Sequence, residues 1–338
     1  MPVEFRARKA IFLPTNSLGD FIMDLKLSGF HHLTAITADA PGNLAFYTKV
    51  LGLRLVKKTV NQDDTSAYHL FYGDGAATPG SDITFFDWPV GPARRGTHSI
   101  VRTGFRVDGD SLGWWRDHLR AQGVKAGDVT DLGGRQGLIF EDPEGQRLSL
   151  VDNGSKTQGH PWERSPVPAE HQILGLGPIS ISVRDLAPTE QVLTRVMHMK
   201  KVRDYPQSAV STNQVHVYQM ADGGPETELH VLVEPDAPTA REGAGGVHHV
   251  AFRTPDTDSL RLWAERVRDF RIGSSGEVER YYFRSLYFRE PNGVLFEIAT
   301  DVPGFTADEP LETLGEHLSL PPFLEGRRQS IEDNLKPL

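Results

Sequence analysis

The stretch DTDSLRLWAERV, Asp256 to Val267, repeats the pattern of DGDSLGWWRDHL, Asp108 to Leu119, at a shift of 148 residues. The same shift lays REPNGVLFEIAT, from Arg289, on EDPEGQRLSLVD, from Glu141. A second shift, of 146, lays LTRVMHMKKV, from Leu193, on YTKVLGLRLV, from Tyr47, and TELHVLVEP, from Thr227, on SDITFFDWP, from Ser81. Two constant offsets held over whole segments mark an internal duplication. The first copy reads as a strand over residues 30–37, a helix over 41–51, and strands near 53–59, 67–72 and 82–88. Period-two apolar runs, the Pro-Gly helix start and the LGL helix exit set these bounds. The chain is therefore expected to be α+β, with four βαβββ modules in two paired-module domains.

The polar stretch NGSKTQGHPWERSPVPAEHQ divides the modules in the sequence. The expected organisation is an N-terminal extension (1–28) outside the fold and a first domain (29–153) carrying modules 1 and 2. A linker (154–172), a second domain (173–302) with modules 3 and 4, and a tail (303–338) packing on the body follow. One helix, over 325–334, is expected in the tail.

Composition narrows the chemistry. Net charge is −9 over 338 residues, so no basic footprint points to nucleic acid or an anionic membrane. No apolar run reaches spanning length, and the N-terminal apolar island is too brief for a secretory leader, so a cytoplasmic protein is expected. The chain is also read as able to form a homodimer. It has no cysteine, which removes disulfides, thiolate sites and cysteine nucleophiles and leaves His, Asp and Glu as metal ligands.

The repeat makes certain residues conspicuous. Module 1 begins with His31-His32 and module 4 with His248-His249, whereas module 2 has Ile100-Val101 and module 3 Gly177-Pro178 at those places. The scaffold thus forms without the histidines. Glu297 lies between Phe296 and Ile298 in an apolar strand where module 2 has Ser149. An unpaired carboxylate there would cost several kcal/mol, so it calls for a cation or dense hydrogen bonding. If modules 1 and 4 pair, one histidine from each and Glu297 converge as two imidazoles and a carboxylate, the facial triad of non-haem Fe(II). Strand alternation lets one of each pair face inward; His32 and His249 are taken as ligands, with His31 and His248 beside them as acid-base groups. The remaining histidines, His69 among them, read as structural or exposed.

The segments HHLTAITADAPGNLAFYTKVLGLRLVKKTVN, YHLFYGD, TPGSDITFF, HHVAF, YYFRSLYFREPNGVLFEIATD and LPPFLEGRR resemble the vicinal oxygen chelate superfamily. Within it they resemble the hydroquinone ring-cleaving dioxygenases. The resemblance implies metal ligands at His32, His249 and Glu297, and active-site surroundings at His31, Thr34, His248, Arg280 and Tyr287. It implies Fe(II), with Mn(II) as an alternative, and a small aromatic diol cleaved with O2. Hydroquinone is favoured over catechol by the resemblance alone. A bulge at the Pro-Asn-Gly turn would set Tyr287 opposite Glu297; Arg280 would reach the cavity only through a bend. Two rivals are a glyoxalase-like lyase or isomerase and a non-catalytic sequestering protein. The lyase would need a fourth ligand from module 1. Counting from the Pro79-Gly80 turn puts Thr84 there, and matching FFDW to LFEI puts Asp87 there.

Overall fold

A computed structural model describes residues 25–155, 159–208 and 210–338. Module 1 runs β1 (Phe30–Thr37), α1 (Ala40–Ala45), β2 (Arg54–Val60), β3 (Tyr68–Gly73) and β4 (Asp82–Asp87). Module 2 has β5 (Ser99–Val107), α2 (Leu112–Ala121), β6 (Thr130–Asp131), β7 (Gln136–Glu141) and β8 (Arg147–Asp152). Module 3 has β9 (Gly175–Val183), α3 (Leu186–Gln191), β10 (Lys200–Pro206), β11 (Gln214–Gln219) and β12 (Glu228–Val233). Module 4 has β13 (Val247–Thr254), α4 (Thr257–Asp269), β14 (Ser274–Glu279), β15 (Arg284–Arg289) and β16 (Leu295–Thr300). The fold is α+β, with four βαβββ units.

The duplication extends to backbone detail. An aspartate opens each module helix, capping α1, α3 and α4 directly and, in module 2, the 3-10 turn Gly109–Ser111 that leads into α2; Asp39 and Asp185 stand 146 apart, Asp108 and Asp256 148 apart. Helices α1 and α3 each continue into a π-turn, Phe46–Val50 and Val192–Val196, while α2 and α4 do not. Left-handed residues match at the same shifts: Gly52 with His198, and Gly123 with Arg271. His198 and Arg271 have no glycine's freedom, so the inherited helix exit overrides their preference.

The strands form two eight-stranded sheets. One is ordered β14-β15-β16-β13-β1-β4-β3-β2 and joins module 4 to module 1; the other, β10-β11-β12-β9-β5-β8-β7-β6, joins module 3 to module 2. Each sheet thus draws one module from either side of the polar stretch. The seams are the antiparallel pairs β1–β13 and β5–β9. Alternation assigns the faces: Leu33, Ala35, Ile83, Phe85, Phe296 and Ile298 enter one continuous core with Trp115 and Trp263 of α2 and α4. The other face of the module 1–4 sheet carries Val56, Phe71, Ala251 and Ala299, covered by Phe305 and Leu314 of the tail.

Residues 1–24 of the expected extension lie outside the described residues; Leu27 belongs to the core. The tail has two short helices, α5 (Pro322–Glu325) and α6 (Arg328–Glu332), in place of one. Gly326 and Arg327 separate them, and the expected start at Glu325 is the last residue of α5. The tail packs against β2, with Ser319 N–H donating to the Lys58 carbonyl and Leu320, Leu324 and Ile331 enclosing Val60. Lys57 is fully buried and bonds the Phe305 carbonyl, Asp308 and Glu309, which ties β2 to the segment that follows β16.

Candidate metal centre

The site lies on the β1–β13 seam, and two β-bulges build it. Phe30 pairs with Phe252 and His32 with Ala251, so His31 is an extra residue in β1. Across the seam Thr34 pairs with His249 and Ala35 with Val247, which makes His248 the extra residue in β13. Phe30 faces the core; in a flat strand His32 would face it too. The bulge shifts the phase, so His32 and Thr34 point to the cavity while Leu33 returns to the core. It also corrects the expectation from strict alternation: both rings of each pair stand side by side. His31 Nδ1 lies 2.9 Å from His32 Nδ1, and His248 Nδ1 lies 2.7 Å from His249 Nδ1.

His32, His249 and Glu297 come together. His249 Nε2 is 2.9 Å and His32 Nε2 3.2 Å from Glu297 Oε2, and the two Nε2 atoms are 3.3 Å apart. Glu297 is completely buried, beside Ala251 on β13 and Tyr287 on β15. Burial opposes its ionisation, yet the imidazoles of His32 and His249 hold its carboxyl well below the ordinary range.

The tautomers follow from the outer histidines. Burial, with His32 beside it, pushes His31 down to about 3, so it is neutral at ordinary pH. A neutral imidazole has one N–H, so within the pair one Nδ1 donates and the other accepts. With His32 as the donor of that pair, its Nε2 is the nitrogen that would turn a lone pair to a bound ion. Burial, with His249 adjacent, likewise pushes His248 down to about 3.

The cluster suits a divalent ion. Both Glu297 oxygens are enclosed without an aligned hydrogen bond. The equally buried Glu228 of the other sheet shows the contrast: Arg135, Arg203, Gln219 and His230 all donate to it. Protein saturates one carboxylate and leaves the other for a cation. Octahedral coordination with bonds of about 2.1 Å sets adjacent donors about 3.0 Å apart, against about 3.4 Å for a tetrahedron. The observed edges of 2.9–3.3 Å span the range between the two, so all three donors can reach one ion. Among the described residues this is the group of three or more His or acidic side chains placed to hold a metal.

The fourth-ligand question is settled by register. His32 pairs with Asp82 and Thr34 with Thr84 on β4, as Val250 pairs with Phe296 and Ala251 with Glu297 on β16. Thr84 is thus the module 1 counterpart of Glu297. It donates to Thr34 Oγ1 at 2.9 Å. Asp87, three residues on, shares the parity of Ile83 and Phe85 and lies outside the cluster.

The other expected residues surround one cavity. Tyr287 pairs directly with Glu297, and its ring meets that of His249 edge-on at 5.8 Å. Burial, with the Glu297 charge nearby, raises the Tyr287 phenol well above its ordinary value. Arg280 stands past the end of β14, in a bend where Tyr281 is left-handed. Its guanidinium reaches Asp63 at 3.0 Å and stacks 5.5 Å from the Tyr287 ring. Phe283, from that bend, packs 5.0 Å from His32 and 5.2 Å from His31. The reading of His69 as structural or exposed misses its place: it lines the same cavity as His32, His249, Arg280 and Tyr287. An imidazole on the alternation phase of Phe71, opposite Phe86, was the available signal.

The chain belongs to the Glyoxalase/Bleomycin resistance protein/Dioxygenase superfamily, whose family profile matches residues 29–150 and 175–298. Within that class, it is 45% identical over 317 residues to MhqA of Bacillus subtilis (strain 168), which is provisionally named a ring-cleaving dioxygenase. That match covers 93% of this chain and all of the relative. It is 31% identical to the chlorohydroquinone/hydroquinone 1,2-dioxygenase of Sphingobium indicum, over 90% of this chain and 95% of that one. A crystal structure of a provisionally named dioxygenase from Bacillus subtilis superposes with a TM-score of 0.85 at 33% identity, covering 93% of this chain and 98% of the other. Glyoxalase I from Zea mays shares the fold, with a TM-score of 0.61 at 16% identity over 86% of this chain and 97% of that one.

Proposed function

We propose that this chain is a ring-cleaving dioxygenase that opens a hydroquinone-type aromatic diol with O2, using Fe(II) held by His32, His249 and Glu297. The observation that carries it is the triad, three enclosed donors within reach of one ion, with a threonine at the fourth position that a glyoxalase-type site would fill with a ligand. Two imidazoles with one carboxylate are the donor set of non-haem Fe(II) oxygenases, and Mn(II) is the alternative. The ion supplies a Lewis acid and template that favour a deprotonated phenol and bring it together with O2. The relatives' names support hydroquinone over catechol.

The chain's own groups do the rest. His31 and His248 hold the ligand histidines in the tautomer that presents Nε2, and a proton can pass along each Nδ1 pair. Tyr287 and Arg280 stand as donors where the substrate gains negative charge, in a cavity walled by Phe71, Phe86 and Phe283. Thr34 orients a substrate hydroxyl. The enclosed walls limit water around the reacting ring.

The test is oxygen uptake after anaerobic loading with Fe(II). Consumption with methylhydroquinone or chlorohydroquinone is expected, and none with the hemithioacetal of methylglyoxal and glutathione. Isomerisation of that hemithioacetal without oxygen uptake would replace the reading with the lyase class. Diol binding without consumption would favour sequestration.

A further inference from the structure

His69 is a residue the proposed chemistry leaves unused, and its placement is specific. On β3, its Nε2 lies 2.9 Å from Thr84 Oγ1, which donates in turn to Thr34 Oγ1. The ring is held between Phe71 and Phe86, with centroids 4.0 and 4.5 Å away. Among the described residues its Nδ1 has no hydrogen-bond partner, and the half-buried residue lines the cavity. Two strands separate β3 from the β1–β13 seam on one flank, as two separate β15 from it on the other. His69 and Tyr287 therefore bracket the cavity from opposite sides, with the metal ligands between them.

We propose that His69, through Nδ1, binds the hydroxyl of the diol that is remote from the metal ligands, and so selects a para-diol. This rests on the ring-cleaving reading above. A para-diol with one oxygen at the triad presents the other on the far edge of its ring. An ortho-diol turns both oxygens to the triad and offers His69 only carbon. With Thr84 donating to Thr34, the Thr84 oxygen accepts from His69 Nε2–H, which leaves Nδ1 a lone pair matched to a phenol O–H. The flanking phenyl rings fix the imidazole plane, so little ordering remains to be done on binding.

The test measures anaerobic equilibrium binding to the metal-loaded protein for hydroquinone and for 4-methoxyphenol, which keeps one hydroxyl and masks the other. Wild type is expected to prefer hydroquinone. His69→Phe should weaken hydroquinone about five- to tenfold, the size of one neutral hydrogen bond, and leave 4-methoxyphenol within about twofold. His69→Gln should restore part of the preference. An unchanged preference in His69→Phe would overturn the assignment while leaving the dioxygenase reading in place. Equal weakening of both ligands would also overturn it, since that marks a structural role. Failure of the wild type to bind either phenol would overturn the functional reading and this one with it.

Discussion

Glu297 and Tyr287 differ in what their loss should do. Removing the charge of Glu297 takes away the anionic donor and leaves two neutral imidazole nitrogens to hold an ion. Glu297→Gln should therefore drop Fe(II) occupancy by at least about tenfold, the scale seen even for groups that only support ligands, as read by plasma emission after desalting. Equal metal content in the variant and wild type would remove this carboxylate from the coordination sphere. Tyr287→Phe keeps the ring against His249 and loses only the hydroxyl. It should retain metal and lower kcat by about tenfold to a hundredfold; unchanged turnover would assign Tyr287 a packing role. The sequence makes these residues legible because the duplication provides its own control. Comparing four copies at fixed offsets exposes His32, His249 and Glu297 as side chains the scaffold does without. His69 has no such contrast, because Phe71, Thr84 and Phe86 give it meaning only once β3 lies beside β4.

At the level of elements, the bulges at His31 and His248 decide the site, and they were not readable from alternation. A strict period of two predicts one inward histidine per pair, whereas the extra residue in each strand brings both rings to one place. Bulges arise from the pairing register of two strands distant in sequence, so local pattern cannot reveal them. Helix starts and exits are local, and those of the first module were legible in its Pro-Gly start and LGL exit. The short strand β12 carries a second lesson. Burial opposes ionisation of Glu228, but His230, Arg203 and Arg135 override it and hold its carboxyl far below the ordinary range. A depressed carboxyl contributes stability that is complete above the unfolded value, about 4.3, and is lost as pH falls through the folded one. Glu228→Gln should thus be less stable than wild type at neutral pH, with the gap in urea midpoint narrowing below about pH 4. A gap that stays constant down to pH 3 would show that the cluster is not linked to protonation there.

On the scale of the whole molecule, each sheet takes one module from each side of the polar stretch, and the candidate metal centre is completed across that division. Residues 29–153 expressed alone carry His32 without His249 or Glu297, and should bind no stoichiometric Fe(II); metal retained by that half would break the link between pairing and site. The tail closes the arrangement from outside. Lys57, with no exposed surface, holds Asp308 and Glu309 beside the bend that presents Arg280 and Phe283. Lys57→Met leaves two half-enclosed carboxylates without their cation and should cost about 3–5 kcal/mol, read as a lower urea midpoint. An unchanged midpoint would mean that the tail's hydrophobic contacts suffice. The tail's apolar residues signalled packing, but its contact with β2 depends on a buried lysine that composition cannot distinguish from a surface one. The pairing of modules 1 and 4 around one ion is tested most directly by anomalous diffraction from Fe(II)-loaded crystals. A single iron peak within about 2.0–2.3 Å of His32 Nε2, His249 Nε2 and a Glu297 oxygen is expected. Iron bound elsewhere, or a fourth protein ligand from Asp87 or His69, would contradict it.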